Sequence, residues 1–139
     1  MVQAETARKL LAVLLDNLGD LRRYRGAVTR ERLRTERDVQ HMVLHAIYLA
    51  TQSAVDLALH LGADAGLAQA GSYADAFHRL ADAGFLDRAL AARLAGWAGL
   101  RNVLAHFYPV VDYDRVHDAL AEIGDLEAFA VLVAREVER

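Results

Sequence analysis

The sequence contains no cysteine among its 139 residues. That excludes disulfides, thiolate metal sites and cysteine nucleophiles. It contains one proline, and almost no stretch alternates apolar with polar residues. Both features argue against sheets. Lys9 is its only lysine, so arginine supplies nearly all the positive charge. The formal net charge is -3. Without an overall basic bias, any contact with nucleic acid must come from a local patch or a groove between subunits. No apolar run approaches the roughly 20 residues that a membrane span needs. The first residues, MVQAETARKLLAVLLDNLGDLRRY, do not read as a signal peptide. Asp16, Asn17 and Asp20 interrupt their apolar positions, which recur at helical spacing. A cytoplasmic protein with no membrane contact is the expectation.

What is present favours helix. Hydrophobic residues make up 55% and charged residues 25% of the chain, enough apolar content for a core and too much for disorder. At this length a single domain, 1–139, is expected. Val2 to about Tyr24 reads as a first helix, with Leu10, Leu11, Leu14, Leu15, Leu18 and Leu21 on its apolar face and Gly26 ending it. Thr29 can cap a short turn through Arg34. A second long helix runs from about Glu36 to Leu61, burying Val39, Met42, Val43, Ala46, Ile47, Ala50, Ala54, Leu57 and Leu61. Gly62 reads as its stop, and Gly62–Gly71 as an exposed loop. Ser72 opens a capping-box-like start with Asp75, for a helix from Tyr73 to Ala83 that stops at Gly84. Asp87 caps the next helix, which reaches Phe107 or Tyr108, where Pro109 ends it. Asp112 caps a fifth, Tyr113 to Ile123. Gly124 and Asp125 break it before Leu126–Val137. The fold class predicted is an all-α antiparallel bundle of about five helices.

One segment concentrates chemistry: Arg101 to Tyr108, RNVLAHFY. On a continuous helix, Arg101 and Tyr108 are seven apart and share a face, while Asn102 and His106 share the neighbouring one. Val103 and Leu104 can pack inward. Arginine is a permanent planar cation suited to phosphate. Histidine can take or give a proton near neutral pH. Asparagine and tyrosine supply oriented hydrogen bonds. These groups suffice for metal-independent RNA cleavage, with a base activating the ribose 2′-hydroxyl and Arg101 stabilising charge on the phosphoryl oxygens. The same residues at a helix end also serve structure alone, as a carbonyl cap, an ion pair and a rim aromatic. Spacing by itself leaves both readings open.

The pattern Arg101-Asn102-x3-His106-x-Tyr108 resembles the Arg-x4-His-x-Tyr signature of HepT-like toxins in the HEPN superfamily. The resemblance extends over SYADAFHRLADAGFLDRALAARLAGWAGLRNVLAHFYPVVDYDRVHDAL and over the second helix, ERDVQHMVLHAIYLATQSAVDLALHL, including Asp56. It therefore covers about Glu36 to Leu120. It implies an HEPN-like all-helical homodimer acting as a ribonuclease toxin of a type VII toxin–antitoxin system. Its partner would be a minimal nucleotidyltransferase (MNT) antitoxin, which neutralises the toxin by transferring AMP from ATP to the motif tyrosine. Carried onto this chain, Arg101 and His106 are catalytic, Asn102 is supporting, and Tyr108 is the site of adenylylation (AMPylation). An adenylyl group beside Arg101 and His106 would exclude an RNA phosphate by bulk and charge. The toxin itself needs neither cofactor nor metal. A higher-order complex with the antitoxin is also compatible with the family. Phe at position 107 and the alanine-rich AARLAGWAGL before the motif depart from the family without touching the signature.

Other residues carry weaker signals. Asp56, in a mainly apolar helix, could orient His106 or Arg101, or pair with a neighbour at the surface. His41 and His45 are four apart, but no third ligand is evident and metal binding is not expected. Arg22, Arg23, Arg25, Arg30, Arg32, Arg34 and Arg37 form a basic stretch interleaved with Glu31 and Glu36. It reads either as a solvated helix end or as an RNA-backbone or antitoxin-docking surface. Trp97 and Phe77 read as core or dimer-interface residues. Two alternatives to the ribonuclease stand beside it. One is a non-catalytic helical partner of a nucleotidyltransferase, in which Arg101, Asn102 and Tyr108 bind nucleotide or a partner surface. The other is a structural dimerisation module.

Overall fold

Four short polar side chains start four helices as their positions in the sequence suggest. Thr29 accepts from the Arg32 amide at 3.1 Å, Ser72 from Asp75 at 3.0 Å, Asp87 from Leu90 at 2.7 Å, and Asp112 from Asp114 at 2.9 Å. Each satisfies an amide that the first helical turn leaves without a partner. The computed structural model describes residues 2–139, with side chains from Ala4 onward. Its α-helices are α1 (Val2–Ala27), α2 (Arg30–Thr35), α3 (Arg37–Asp64), α4 (Tyr73–Asp82), α5 (Arg88–His106), α6 (Tyr113–Leu120) and α7 (Gly124–Val137). A 3-10 turn, Tyr108–Val110, follows α5. There is no strand among the described residues.

The chain is all-helical, as expected, with seven helices in place of about five. Two of the expected glycine stops are wrong, for one reason. Gly26 lies inside α1 and Gly62 inside α3, neither with positive φ. A glycine ends a helix by adopting the left-handed conformation, and Gly66 (φ 72) and Gly84 (φ 88) do so. At Gly66 the Leu67 amide donates back to Gly62 and the Gly66 amide to Ala63. At Gly84 the amides of Phe85 and Gly84 donate to Leu80 and Ala81. Both are Schellman closures. The later break also moves. α6 ends at Leu120, residues 121–123 form the turn, and Gly124 opens α7 instead of preceding it.

α3 is the central helix, packed by α1, α4, α5 and α7. By length and composition it could cross a membrane. In this fold its apolar side, including Val43, Ile47, Ala50 and Leu57, is buried by the other helices. Leu14, Leu18 and Leu21 of α1, Leu94 and Trp97 of α5, and Phe129 and Val133 of α7 complete one continuous core with it. Phe77 of α4 meets Phe129 edge-on, ring centroids 5.4 Å apart. Among residues assigned to apolar faces, Leu10 and Leu11 are only half-buried and two others are exposed. Leu15 and Met42 are 48% and 45% exposed, since each stripe is narrower than its run of apolar residues.

Candidate active site at the end of helix α5

α3 carries Tyr48, Gln52 and Asp56, four residues apart and so on one face. That face meets α5 at Arg101. The Arg101 Nε donates to Gln52 Oε1 at 2.7 Å, and Gln52 Nε2 donates to Asp56 Oδ1 at 2.9 Å. Arg101 Nη2 reaches Tyr48 Oη at 3.4 Å, and Nη1 reaches Asn102 Oδ1 at 3.2 Å. The guanidinium carbon also lies 5.3 Å from the Tyr48 ring centroid and 5.1 Å from that of Tyr73, within cation–π range.

Tyr73 owes its place to the start of α4. Ser72 caps the helix, and Asp75 reaches back to accept from the Gly71 amide at 2.9 Å and from Arg79 at 2.7 Å. The Gly71 amide and the Arg79 guanidinium hold the Asp75 carboxyl below the usual carboxylate range. This network fixes the first turn of α4, and with it the ring beside Arg101.

Asp56 therefore does not touch Arg101 or His106 directly, as one sequence expectation had it. It contacts Gln52, which contacts Arg101. Tyr48, Gln52 and Tyr73 were not singled out from the sequence. The first two had a readable signal, polar groups at positions 48, 52 and 56 of an otherwise apolar helix. Tyr73 had none.

His106 is the last residue of α5 and is exposed. Its ring lies edge-on to Phe107 at 6.5 Å, and it makes no hydrogen bond among the described residues. Five residues separate it from Arg101, about 7.5 Å along the helix axis. The chain leaves the helix at Phe107, where φ is -128 and ψ is 33. Tyr108 thus opens the 3-10 turn and shares no helical face with Arg101, which corrects the seven-residue argument. It is 73% exposed. Tyr108 and Leu104 instead line a cleft of about 670 Å³ with Tyr48, and Asn17, Asp20, Tyr24, His41 and His45 line it too. Tyr48 connects this cleft to the Arg101 neighbourhood.

The basic stretch is largely neutralised. Arg30 donates to Asp114 and Asp118, Arg34 donates to Asp114 through Nε at 2.8 Å and Nη2 at 2.9 Å, and Arg22 donates to Glu127 at 2.6 Å. Arg23 pairs with Asp20 and Arg32 with Glu36. These contacts tie α1 to α7 and α2 to α6, which removes much of the case for an RNA-binding strip. Trp97 and Phe77 are buried, with Trp97 Nε1 donating to Asp125 at 3.4 Å, so neither offers a stacking face. No group of three or more metal-binding side chains occurs among the described residues.

A family model described as ribonuclease HepT-like matches residues 14–133. Among solved structures, a tri-AMPylated HEPN toxin from Shewanella oneidensis in complex with an MNT antitoxin is similar at a TM-score of 0.83 and 20% identity, over 93% of this chain and 96% of that one. A toxin–antitoxin structure with AMP-PNP is similar at 0.81 and 19%, over 91% and 96%. The cytosolic protein of unknown function YutE from Bacillus subtilis is similar at 0.83 and 15%, over 96% and 90%. Likeness at such identities shows the shared fold. No curated protein matches the chain.

Proposed function

The chain belongs to the HepT-like ribonuclease family, and from that premise we propose that it is a metal-independent endoribonuclease toxin. The observation that carries the reading is the placement of Arg101, Asn102 and an exposed His106 on the last turns of α5, just before Tyr108, with Arg101 bonded to Asn102. His106 takes the proton from a ribose 2′-hydroxyl. The 2′-oxygen then attacks the adjacent phosphorus while the bond to the 5′-oxygen breaks. The 5′-oxygen takes a proton from a solvent water and leaves as a hydroxyl, the protonated His106 gives its proton back to solvent, and the other product ends in a 2′,3′-cyclic phosphate. Arg101 stabilises the charge that builds on the non-bridging oxygens. No metal or cofactor enters this route.

Control falls to Tyr108. Its phenolic oxygen attacks the α-phosphorus of ATP held by an MNT-type nucleotidyltransferase antitoxin, forming a tyrosyl–AMP ester and releasing pyrophosphate. An exposed hydroxyl on a short turn suits access by a second enzyme. A homodimer in the cytoplasm is part of the same reading.

The test is cleavage of cellular RNA by the unmodified protein and by Arg101→Ala and His106→Ala, all with EDTA. Activity in the wild type alone is the expected result. Equal activity in all three, or none in any, rejects catalysis. One observation favours a second reading, a non-catalytic partner of a nucleotidyltransferase. His106 makes no orienting hydrogen bond among the described residues, whereas Tyr108 is fully presented. Growth arrest on expression, relieved by His106→Ala, counts against that alternative.

A further inference from the structure

Arg101 differs from the other arginines in what holds it. Every other arginine side chain that donates to a side chain among the described residues donates to a carboxylate. Arg101 donates to an amide, a phenol and a second amide. The shortest of these bonds, 2.7 Å, uses Nε and leaves the two terminal nitrogens with only long contacts of 3.2 and 3.4 Å. The tyrosine rings attract the cation through their π-systems and leave most of its edge donors unspent. Gln52 is in turn oriented by Asp56, which accepts from its amide nitrogen and so turns Oε1 toward Arg101. The carboxylate thus stands one side chain away from the guanidinium and does not pair with it.

We propose that Gln52 is a positioning residue that holds Arg101 in place without neutralising it, so that its Nη1/Nη2 edge forms a site for one phosphate group. The inference rests on the ribonuclease reading for the origin of that phosphate, the RNA backbone. The arrangement itself requires only an anion. A glutamate at position 52 would retain the acceptor at Nε and the length of the side chain. It would also convert the contact into an ion pair, and repel the incoming phosphate. The new carboxylate would also lose the donor to Asp56 and face that acid, so a retained Arg101 Nε–H signal is what shows that Arg101 is still held in the variant.

Inorganic phosphate is the probe. Its binding is followed by the ¹⁵N–¹H signal of the Arg101 Nε–H group in wild type, Gln52→Glu, Gln52→Leu and Asp56→Asn. The wild type should show a distinct, protected Nε–H signal that shifts with phosphate. Gln52→Glu should retain the signal and weaken binding at least tenfold. Gln52→Leu should lose the protection and weaken binding severalfold; Asp56→Asn, which keeps an acceptor for Gln52 but no longer dictates which way its amide faces, should weaken both less. Phosphate binding by Gln52→Glu within twofold of wild type overturns the proposal. So does an unprotected Nε–H in the wild type, a measurement that holds even if a variant fails to fold. RNA cleavage on the same proteins separates the two claims. Phosphate binding that depends on Gln52 in a protein that cuts no RNA leaves the positioning role intact and removes the ribonuclease. Cleavage with Gln52→Glu binding phosphate like wild type does the reverse.

Discussion

Replacing Arg101 by lysine keeps one positive charge at the site and removes the geometry around it. Three features go at once: the 2.7 Å bond from Nε to Gln52, the planar fork, and the second terminal donor. A lysine ammonium can remain near the Tyr48 and Tyr73 rings, so the electrostatic attraction survives in part. On the proposed mechanism, what is lost is a donor aimed at the oxygens on which charge develops. Loss of one such preorganised donor costs about 10²–10³ in rate, roughly 3–4 kcal/mol of transition-state stabilisation. Arg101 is only half-buried and its partners can turn to water. Stability should therefore fall by no more than about 1 kcal/mol, a few degrees in Tm. The assay is single-turnover cleavage of RNA with EDTA present, with circular dichroism as the folding control. Arg101→Lys should be folded and about 10²–10³-fold slower than wild type, with Arg101→Ala at least as slow. If Arg101→Lys retains activity within a factor of ten, charge alone suffices and the geometric account is refuted.

Four more outcomes are expected. His106→Ala should abolish cleavage while leaving Tm within about 1 °C, because an exposed side chain with no hydrogen bond adds little to stability; a large loss of Tm would point to a structural histidine. Tyr108→Phe should prevent the gain of adenylyl mass on co-expression with an MNT-type nucleotidyltransferase and leave folding unchanged; adenylyl mass on the variant would assign the modification elsewhere. Phe129→Ala removes a fully buried ring packed edge-on against Phe77 and should cost about 3–5 kcal/mol in urea unfolding; a loss under 1 kcal/mol would contradict the packing. Asp114 is held below the usual carboxylate range, first by Arg34 and also by Arg30. A lowered folded-state pKa stabilises above the unfolded value of about 3.9 and is lost as pH falls through the folded value. Asp114→Asn should therefore be less stable than wild type at pH 7, with the gap closing only below about pH 4; a gap that does not change with pH would show that the pair contributes nothing through charge.

The corrections share a physical pattern. The caps at Thr29, Ser72, Asp87 and Asp112 were legible because a cap is a contact within three residues. Pro109 correctly marked the end of the motif helix, yet the chain tightened into a 3-10 turn there and carried Tyr108 off the face it was assigned. Gly26 and Gly62 have the composition of a stop without its conformation, which only the following chain decides. Leu15 and Met42 show that apolar residues do not choose between core and surface until the neighbouring helices are in place.

By itself the sequence determined the helical class and most helix starts, and it singled out Arg101–Tyr108 as a cluster of polar groups at a helix end. All of these rest on spacing within a turn or two of helix. Tertiary structure decided what surrounds Arg101. Gln52 and Tyr48 lie 49 and 53 residues away along the chain. It also decided that the basic stretch closes on the acids of α6 and α7, such as Asp114, 80 residues from Arg34. Charge and hydrogen-bonding capacity are written in the residue, but whether a cation is neutralised or left available depends on which partner the packing of α3 against α5 brings to it.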